Sequence, residues 1–288
     1  MIGRAKAVVV VTGATRGIGR ACLRELVRAG FQAIAGVRDI EAGHALQEEL
    51  GPSVTPVPLD VTRPEQIAAA ADVVREATGE AGLAGLVNNA GIVVAGPMEF
   101  LPLDALREQF EVNLVGLVGL TQALLPALRR ARGRIVNVSS VNGRLATPFT
   151  GAYAASKFAL EAVSDALRRE LNGAVDVIVI QPGSFRTDVW TTSRERAMRI
   201  AAGYPPACRQ HYGRVLEAMA GMGVPARAGD PAAVGRVVVR ALTARRPRAR
   251  YAVGLDSRLG LLLAALMPTR WLDALLGARR RRSRAASA

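Results

Sequence analysis

From residue 7 to residue 253, short β-branched runs alternate with helical stretches, and this alternation limits the fold more than any other feature. Residues 7–12 are continuously apolar, as expected of a strand buried on both faces. A helix is predicted over 17–29, stopped by Gly30, then a strand over 32–37 and a helix over 41–50, stopped by Gly51. The next strand, 54–59, carries Pro56 and Pro58. Proline removes ladder donors, so this strand belongs at a sheet edge. A helix over 64–78 begins with Pro64, and a fourth strand covers 83–88. A long helix over 104–130, bent near Pro126, leads to a strand over 134–139. A second long helix, 152–171, precedes a strand over 175–181. Residues 188–228 break the rhythm and read as a helical insertion. A helix over 230–244, with Asp230 as N-cap and Pro231 at its first position, and a strand over 250–253 close the pattern.

Strand–helix alternation of this kind implies an α/β fold: one Rossmann-like, doubly wound parallel sheet of about seven strands, flanked by helices. Residues 1–278 are expected to form this single domain, with a basic tail over 279–288. Aromatics make up 4% of a chain that is 50% hydrophobic, so the core must come from Ala, Val, Leu and Ile. The two cysteines, Cys22 and Cys208, stand in no metal-ligand spacing and suggest neither a metal site nor a disulfide framework. A reducing, cytoplasmic setting is expected. The valine run over 8–11 passes straight into Thr12-Gly13 rather than into a cleavage site, and no apolar run reaches the roughly 18 residues of a spanning helix.

Ligands of such folds sit at the carboxyl ends of strands, and the polar motifs here fall just after strands. The first strand ends in Thr12-Gly13-Ala14-Thr15-Arg16-Gly17-Ile18-Gly19. Glycines let a backbone turn tightly and approach a pyrophosphate, and the following helix N-terminus favours anionic charge. The second strand ends at Val37-Arg38-Asp39. An acid at the strand tip binds a ribose 2′-hydroxyl; here Val37 holds the tip, and Arg16 and Arg38 flank it. Two guanidiniums suit a 2′-phosphate, so NADP(H) is expected over NAD(H). If Asp39 rather than Val37 faced the ribose, that preference would weaken or reverse.

Tyr153 and Lys157 are four residues apart on one predicted helix face. A neighbouring ammonium stabilises phenolate, so Lys157 is expected to lower the Tyr153 pKa toward working pH, as a general acid/base for an alcohol proton requires. Lys157 is one of only two lysines, with Lys6, in an arginine-rich chain. Ser140 lies thirteen residues before Tyr153, at the end of a predicted strand, where its hydroxyl can hold a substrate oxygen. Asn113 is an unusual residue for a helix interior and a good one for fixing a water.

With these motifs in order, the chain resembles the classical short-chain dehydrogenase/reductase family, closest to its hydroxysteroid and retinol dehydrogenases. The resemblance covers roughly residues 5–190 and rests on residues 12–19, Asp60, 88–91, Asn113, Ser140, Tyr153, Lys157 and 182–187. It implies that Tyr153 exchanges a proton, that Lys157 lowers its pKa and binds the nicotinamide ribose, and that Ser140 orients the reacting oxygen. It further implies that Asn113 holds a water linked to Lys157, that Asp60, with Val61, contacts the adenine region, and that Asn89, Ala90 and Gly91 border the cofactor. Thr187, after Pro182-Gly183, would anchor the nicotinamide amide. A homodimer or homotetramer is implied, through the two long helices.

Substrate contacts are expected from residues 93–100, 141–149 and 188–228, with Val94, Leu145, Phe149, Phe185, Trp190 and Met198 as candidates whose apolarity favours a lipophilic carbonyl or alcohol. The resemblance is expected to fade after residue 190. His211 reads as a surface or packing residue and Cys22 as a packed one. The net charge of +14 includes Arg279, Arg280, Arg281, Arg282 and Arg284. That run reads either as a solvated tail or as a contact for acidic lipid or nucleic acid; no aromatics interleave it, which disfavours a nucleic-acid platform. The apolar stretch 255–276 reads as helices covering the sheet, a subunit contact, or a peripheral membrane contact. A catalytically silent NADP(H) sensor is the competing function, marked by a broken Tyr/Lys/Ser set; here the set is whole.

Overall fold

A computed structural model describes residues 7–277. Its strands are β1 (Val8–Thr12), β2 (Gln32–Val37), β3 (Val54–Pro58), β4 (Gly85–Asn88), β5 (Arg134–Val138), β6 (Asp176–Pro182) and β7 (Arg250–Val253). They form one parallel sheet in the order β3-β2-β1-β4-β5-β6-β7. Strand order reverses at β1, which pairs with β2 on one side and β4 on the other. A crevice therefore opens beyond the carboxyl ends of these strands. Proline-bearing β3 occupies the edge, as its missing donors require.

The period of two in β1 divides the core. Val9 and Val11 point to one face, where they meet Cys22, Leu23 and Leu26 of α1 (Gly17–Arg28), Leu46 of α2 (Ile40–Leu50), and Val234 and Val238. Val8 and Val10 point to the other. There they join Val74 of α3 (Pro64–Thr78) and a leucine row, 117, 120, 124 and 128.

The predicted helix over 104–130 is one continuous rod with a local fault. It comprises α4 (Leu103–Phe110), a wide π turn over Glu111–Val115, and α5 (Gly116–Ala131). The irregularity expected at Pro126 lies instead around Asn113; Pro126 sits inside α5. Gln109 and Asn113, one turn apart, both bind the backbone of the passing 92–94 segment, and side-chain insertions of this kind disturb helical ladders. Among the described residues this is the one helix long and apolar enough to cross a membrane. Its buried leucine row on the sheet accounts for that apolarity.

The second long helix is α6 (Gly151–Leu171). The insertion holds α7 (Val189–Ala201) and α8 (Pro206–Ala220), and α9 (Ala232–Thr243) packs beside α1. α9 starts two residues later than predicted, yet Asp230 still accepts the Ala232 amide at 2.9 Å. α10 (Leu255–Leu266) and α11 (Thr269–Leu276) close the described chain. The arginine tail predicted over 279–288 lies outside the described residues.

Leu124 is almost wholly buried between α5 and the sheet. Leu124→Ala is expected to cost about 2–5 kcal/mol. Urea unfolding should show a lower midpoint with an unchanged slope; an unchanged midpoint would mean that this face is not packed as described.

Candidate active site

The loop after β1 is held by one hydroxyl. Thr12 Oγ1 accepts the amides of Asn89 at 3.0 Å and Ala90 at 2.8 Å, which fastens β1 to the end of β4. Asn89 returns its side-chain amide to the carbonyls of Thr12 and Gly13. Gly13 and Gly17 have φ of 61° and 56°, in the left-handed region that favours glycine. A Cβ at Gly19 would collide with the Gly13 carbonyl oxygen and crowd the Asn89 amide. The first turn of α1 carries no acid and no capping side chain, so its positive end is directed at the crevice.

The crevice is a cleft of about 980 Å³, a size that suits a dinucleotide with a substrate beside it. Gly13, Thr15, Arg16, Gly17, Ile18, Arg38, Asp60, Val61, Asn89, Ala90 and Gly91 line one part of it. Thr12 and Gly19 lie behind that wall and shape it. Asp39 caps α2, its carboxylate accepting the amides of Glu41 at 3.1 Å and Ala42 at 3.4 Å, and it lines the cleft beside Arg38. Arg16 and Arg38 are exposed at the rim. Burial works to raise the Asp60 carboxyl, but bonds from the Thr62 amide and hydroxyl outweigh it, with help from Arg38 and Arg63, and hold it below its usual value.

Ser140, Tyr153, Lys157, Pro182, Gly183 and Thr187 line the other part. Lys157 is buried, and its Nζ donates to the Val138 carbonyl at 2.8 Å, tying α6 to the end of β5. Burial lowers its pKa to about 8 against the opposing charge of Glu161. Tyr153 departs from the sequence expectation. Burial pushes its pKa up, and the group that opposes this is the Ser140 hydroxyl, which hydrogen-bonds the phenol. The Lys157 ammonium stands 5.9 Å from the Tyr153 ring centroid and is directed at Val138, so it does not produce the expected lowering.

Asn113 is completely buried and lies outside the cleft lining. Its Oδ1 accepts the Ile92 amide at 2.8 Å, and its Nδ2 donates to the Ile92 carbonyl and the Ser156 hydroxyl. The side chain thus braces the 92 loop against α6 rather than offering its amide hydrogens to a water.

Of the expected substrate contacts, Phe185 and Trp190 line the cleft, the indole donating to the Phe185 carbonyl at 2.8 Å. Val94 does not: it is buried with Leu101 and Ala152. Phe149 stacks edge-on against Tyr212, and Met198 joins the small core under α8. Leu145 faces Gly260 on α10. His211 is exposed and Cys22 buried in the core, as expected. Asn142 and Thr147 from the 141–149 segment and Met222 from the 188–228 insertion line the cleft, as those segments were expected to, and Thr150 joins them from just outside. Sequence reasoning missed an ion pair at the cleft, Glu108 of α4 with Arg196 of α7 at 2.5 Å. No local pattern links residues 88 positions apart.

Comparison with known proteins places the sequence and fold in one family. The family model "short chain dehydrogenase" covers residues 7–198. Retinol dehydrogenase 5 of Mus musculus is 39% identical over 94% of this chain and 87% of its own length. A short chain dehydrogenase of Burkholderia cenocepacia J2315 in complex with NADP superposes with a TM-score of 0.75 at 27% identity, covering 96% of this chain and 99% of that one. A short chain dehydrogenase/reductase of Burkholderia phymatum in complex with NAD gives 0.76 at 26% identity, covering 96% of each. The chain belongs to the short-chain dehydrogenase/reductase family, and its fold is that of an NAD(P)-binding oxidoreductase. The family model stops at residue 198, close to where the motifs end, while the alignment with retinol dehydrogenase 5 extends over 94% of the chain.

The Gly19 packing predicts that Gly19→Ala pushes the loop away from α1 and weakens dinucleotide binding about tenfold or more. Isothermal titration calorimetry checks this; an unchanged Kd would mean that the loop does not seat the dinucleotide.

Proposed function

We propose that this chain is an NADP(H)-dependent oxidoreductase interconverting a lipophilic primary or secondary alcohol and its aldehyde or ketone. The carrying observation is the convergence of Ser140, Tyr153 and Lys157 in one cleft with the glycine loop. When bound, the nicotinamide supplies or accepts the hydride. The chain's residues manage the proton and the oxygen. The Ser140 hydroxyl, already bonded to the phenol, holds the substrate oxygen beside it. Tyr153, a phenol and so protonated at neutral pH, gives its proton to that oxygen in reduction and takes it back in oxidation. The Lys157 ammonium, fixed by Val138, faces the cleft where a ribose hydroxyl would lie. Asn113 positions the 92 loop and α6 around this group.

The preference for NADP(H) is supported by Arg16 and Arg38 at the rim, with the Asp39 carboxylate engaged by the first amides of α2. Thr187 lines the cleft and packs its Cβ and methyl against Gly17, where an added Cβ would lie 3.2 Å from the Thr187 Cβ; the family resemblance gives it the nicotinamide amide. Phe185, Trp190, Val189 and Met222 give the substrate end an apolar wall, as a retinoid or steroid would require. The intact, convergent Ser/Tyr/Lys set supports an enzyme over a silent sensor. We place the chain in a reducing compartment, since both cysteines are buried thiols. A homo-oligomer through α5 and α6 is consistent with exposed Val115 and Phe158 beside those helices.

Purified protein should oxidise NADPH when offered a panel of lipophilic aldehydes and ketones; no turnover across the panel despite NADPH binding would contradict the proposal. Arg38→Ala should weaken NADPH binding by about ten- to a hundredfold, the loss of a charge-assisted contact of about 1.5–3 kcal/mol, and leave NADH nearly unchanged. Equal losses for both dinucleotides would remove the 2′-phosphate argument. Reduction needs Lys157 charged, and its proton leaves as pH rises through about 8. kcat/KM should therefore be level below that pH and fall about tenfold per unit above it. A profile without an inflection there would detach Lys157's charge from the reaction.

A further inference from the structure

Glu161 is a buried carboxylate that the proton chemistry above does not use. It stands one turn after Lys157 on the same face of α6. Gln181 of β6 donates to its Oε1 at 2.9 Å, and the Arg250 Nε of β7 donates to its Oε2 at 2.8 Å. Arg144, just past the cleft-lining residues Val141 and Asn142, places its Nε 3.6 Å from Oε2. Both oxygens accept, which is the bonding of a carboxylate rather than of the protonated acid. A charge is not needed to fasten α6 to the sheet. A glutamine at 161 could accept from Gln181 equally well, and buried ion pairs seldom add stability over uncharged packing. The other buried charge beside it is Lys157, and opposite charges held out of water act strongly on each other.

The surrounding charges are few and named. Further along α6, Asp165 accepts Arg250 Nη2 at 2.6 Å and pairs with Arg168 at 2.8 Å. Tyr153, one turn before Lys157, is a neutral phenol at working pH. From β5 the Val138 carbonyl reaches Lys157, while Arg134 and Asp176, at the opposite ends of β5 and β6, pair with each other at 3.4 Å. The charged residues of α4 and the π turn, Asp104, Arg107, Glu108 and Glu111, are exposed. Among the described residues this leaves Glu161 as the charge that supports the Lys157 ammonium, with Arg250 and Arg144 opposing it from the far side. We propose that Glu161 is a positioning residue for the reaction: it keeps Lys157 charged in its buried seat, and Arg250 of the last strand limits how strongly it does so.

The two partners act with opposite sign. Removing the Glu161 charge leaves a buried ammonium without its counter-charge, so Lys157 gives up its proton at lower pH. Removing the Arg250 charge leaves Glu161 and Asp165 less compensated, so Lys157 holds its proton to higher pH. A side chain that only fastens α6 to β6 and β7 has no such sign. On the function proposed above, which supplies the link to turnover, the alkaline limb of the reaction follows these shifts.

The test reads Lys157 directly in the full chain. Lys6 and Lys157 are the only lysines, so protein grown on lysine labelled with nitrogen-15 at Nζ gives two side-chain signals, and Lys6→Arg identifies the one from Lys157. Its chemical shift is followed against pH in the parent and the variants. Glu161→Gln should move the Lys157 titration to lower pH by about one unit. Arg250→Gln keeps a donor for the carboxylate and removes the opposing charge; it should move the titration to higher pH by about half a unit. Arg144→Gln, at a half-exposed position, should move it the same way by less, and serves where Arg250→Gln does not fold. Arg250→Lys, which keeps the charge, should titrate close to the parent. Shifts of one sign in the glutamate and arginine variants overturn the proposal, as does a signal that Glu161→Gln leaves in place. The limb of kcat/KM should follow each shift; a limb that stays put while the signal moves also overturns it. Opposite shifts of the signal in a chain without turnover would instead count against the oxidoreductase reading and leave the charge coupling standing.

Discussion

A buried ammonium bonded to the end of a strand sets the site. Lys157 leaves solvent to reach the Val138 carbonyl at 2.8 Å, and in doing so fixes the rotation of α6 against β5. Tyr153, one turn earlier, and Ser140, just past the same strand, are thereby brought into hydrogen-bonding contact. Burying a cation is costly, and the cost appears as its depressed pKa, offset in part by Glu161 one turn further along α6. Glu161 is itself buried and held by Gln181 and Arg250, so the charge balance of the site reaches to β6 and β7. An arginine could not replace Lys157 here: it is bulkier, and its fork of donors would exceed the single carbonyl on offer.

The second fixed point is the Thr12 hydroxyl, which closes the gap between β1 and β4 where the strand order reverses. Hydrogen bonds from Asn89 then hold the glycine loop from below. The cofactor wall and the Ser140/Tyr153/Lys157 group therefore hang from neighbouring strands of one rigid sheet, which is how a dinucleotide and a proton donor can be held in fixed relation.

Much of this was legible in the sequence because it is local. The valine run of β1, the prolines of β3, the glycine spacing and the four-residue interval from Tyr153 to Lys157 each carry their structural consequence in adjacent residues. What was not legible depends on distant segments. The wide turn at Asn113 arises because its side chain binds Ile92, and nothing in residues 111–115 announces that bond. The Glu108–Arg196 pair and the outward leucines of α10 are likewise products of packing. Val94 and Phe149 were plausible pocket residues by chemistry, but small satellite cores claimed them. The direction of the Tyr153 shift was misjudged because pairing with Lys157 was weighed and burial was not.

The central claim is that Tyr153 moves the proton while the remaining cleft binds and orients. Tyr153→Phe removes one oxygen from a half-buried ring and leaves the glycine loop and Lys157 in place. Single-turnover reduction of a lipophilic aldehyde, followed with NADPH binding in the same variant, tests it most directly. The account predicts a rate lower by about a hundredfold or more, as for loss of a general acid, with NADPH affinity within about twofold of the parent. A variant that binds NADPH and reduces the aldehyde at the parental rate would contradict it.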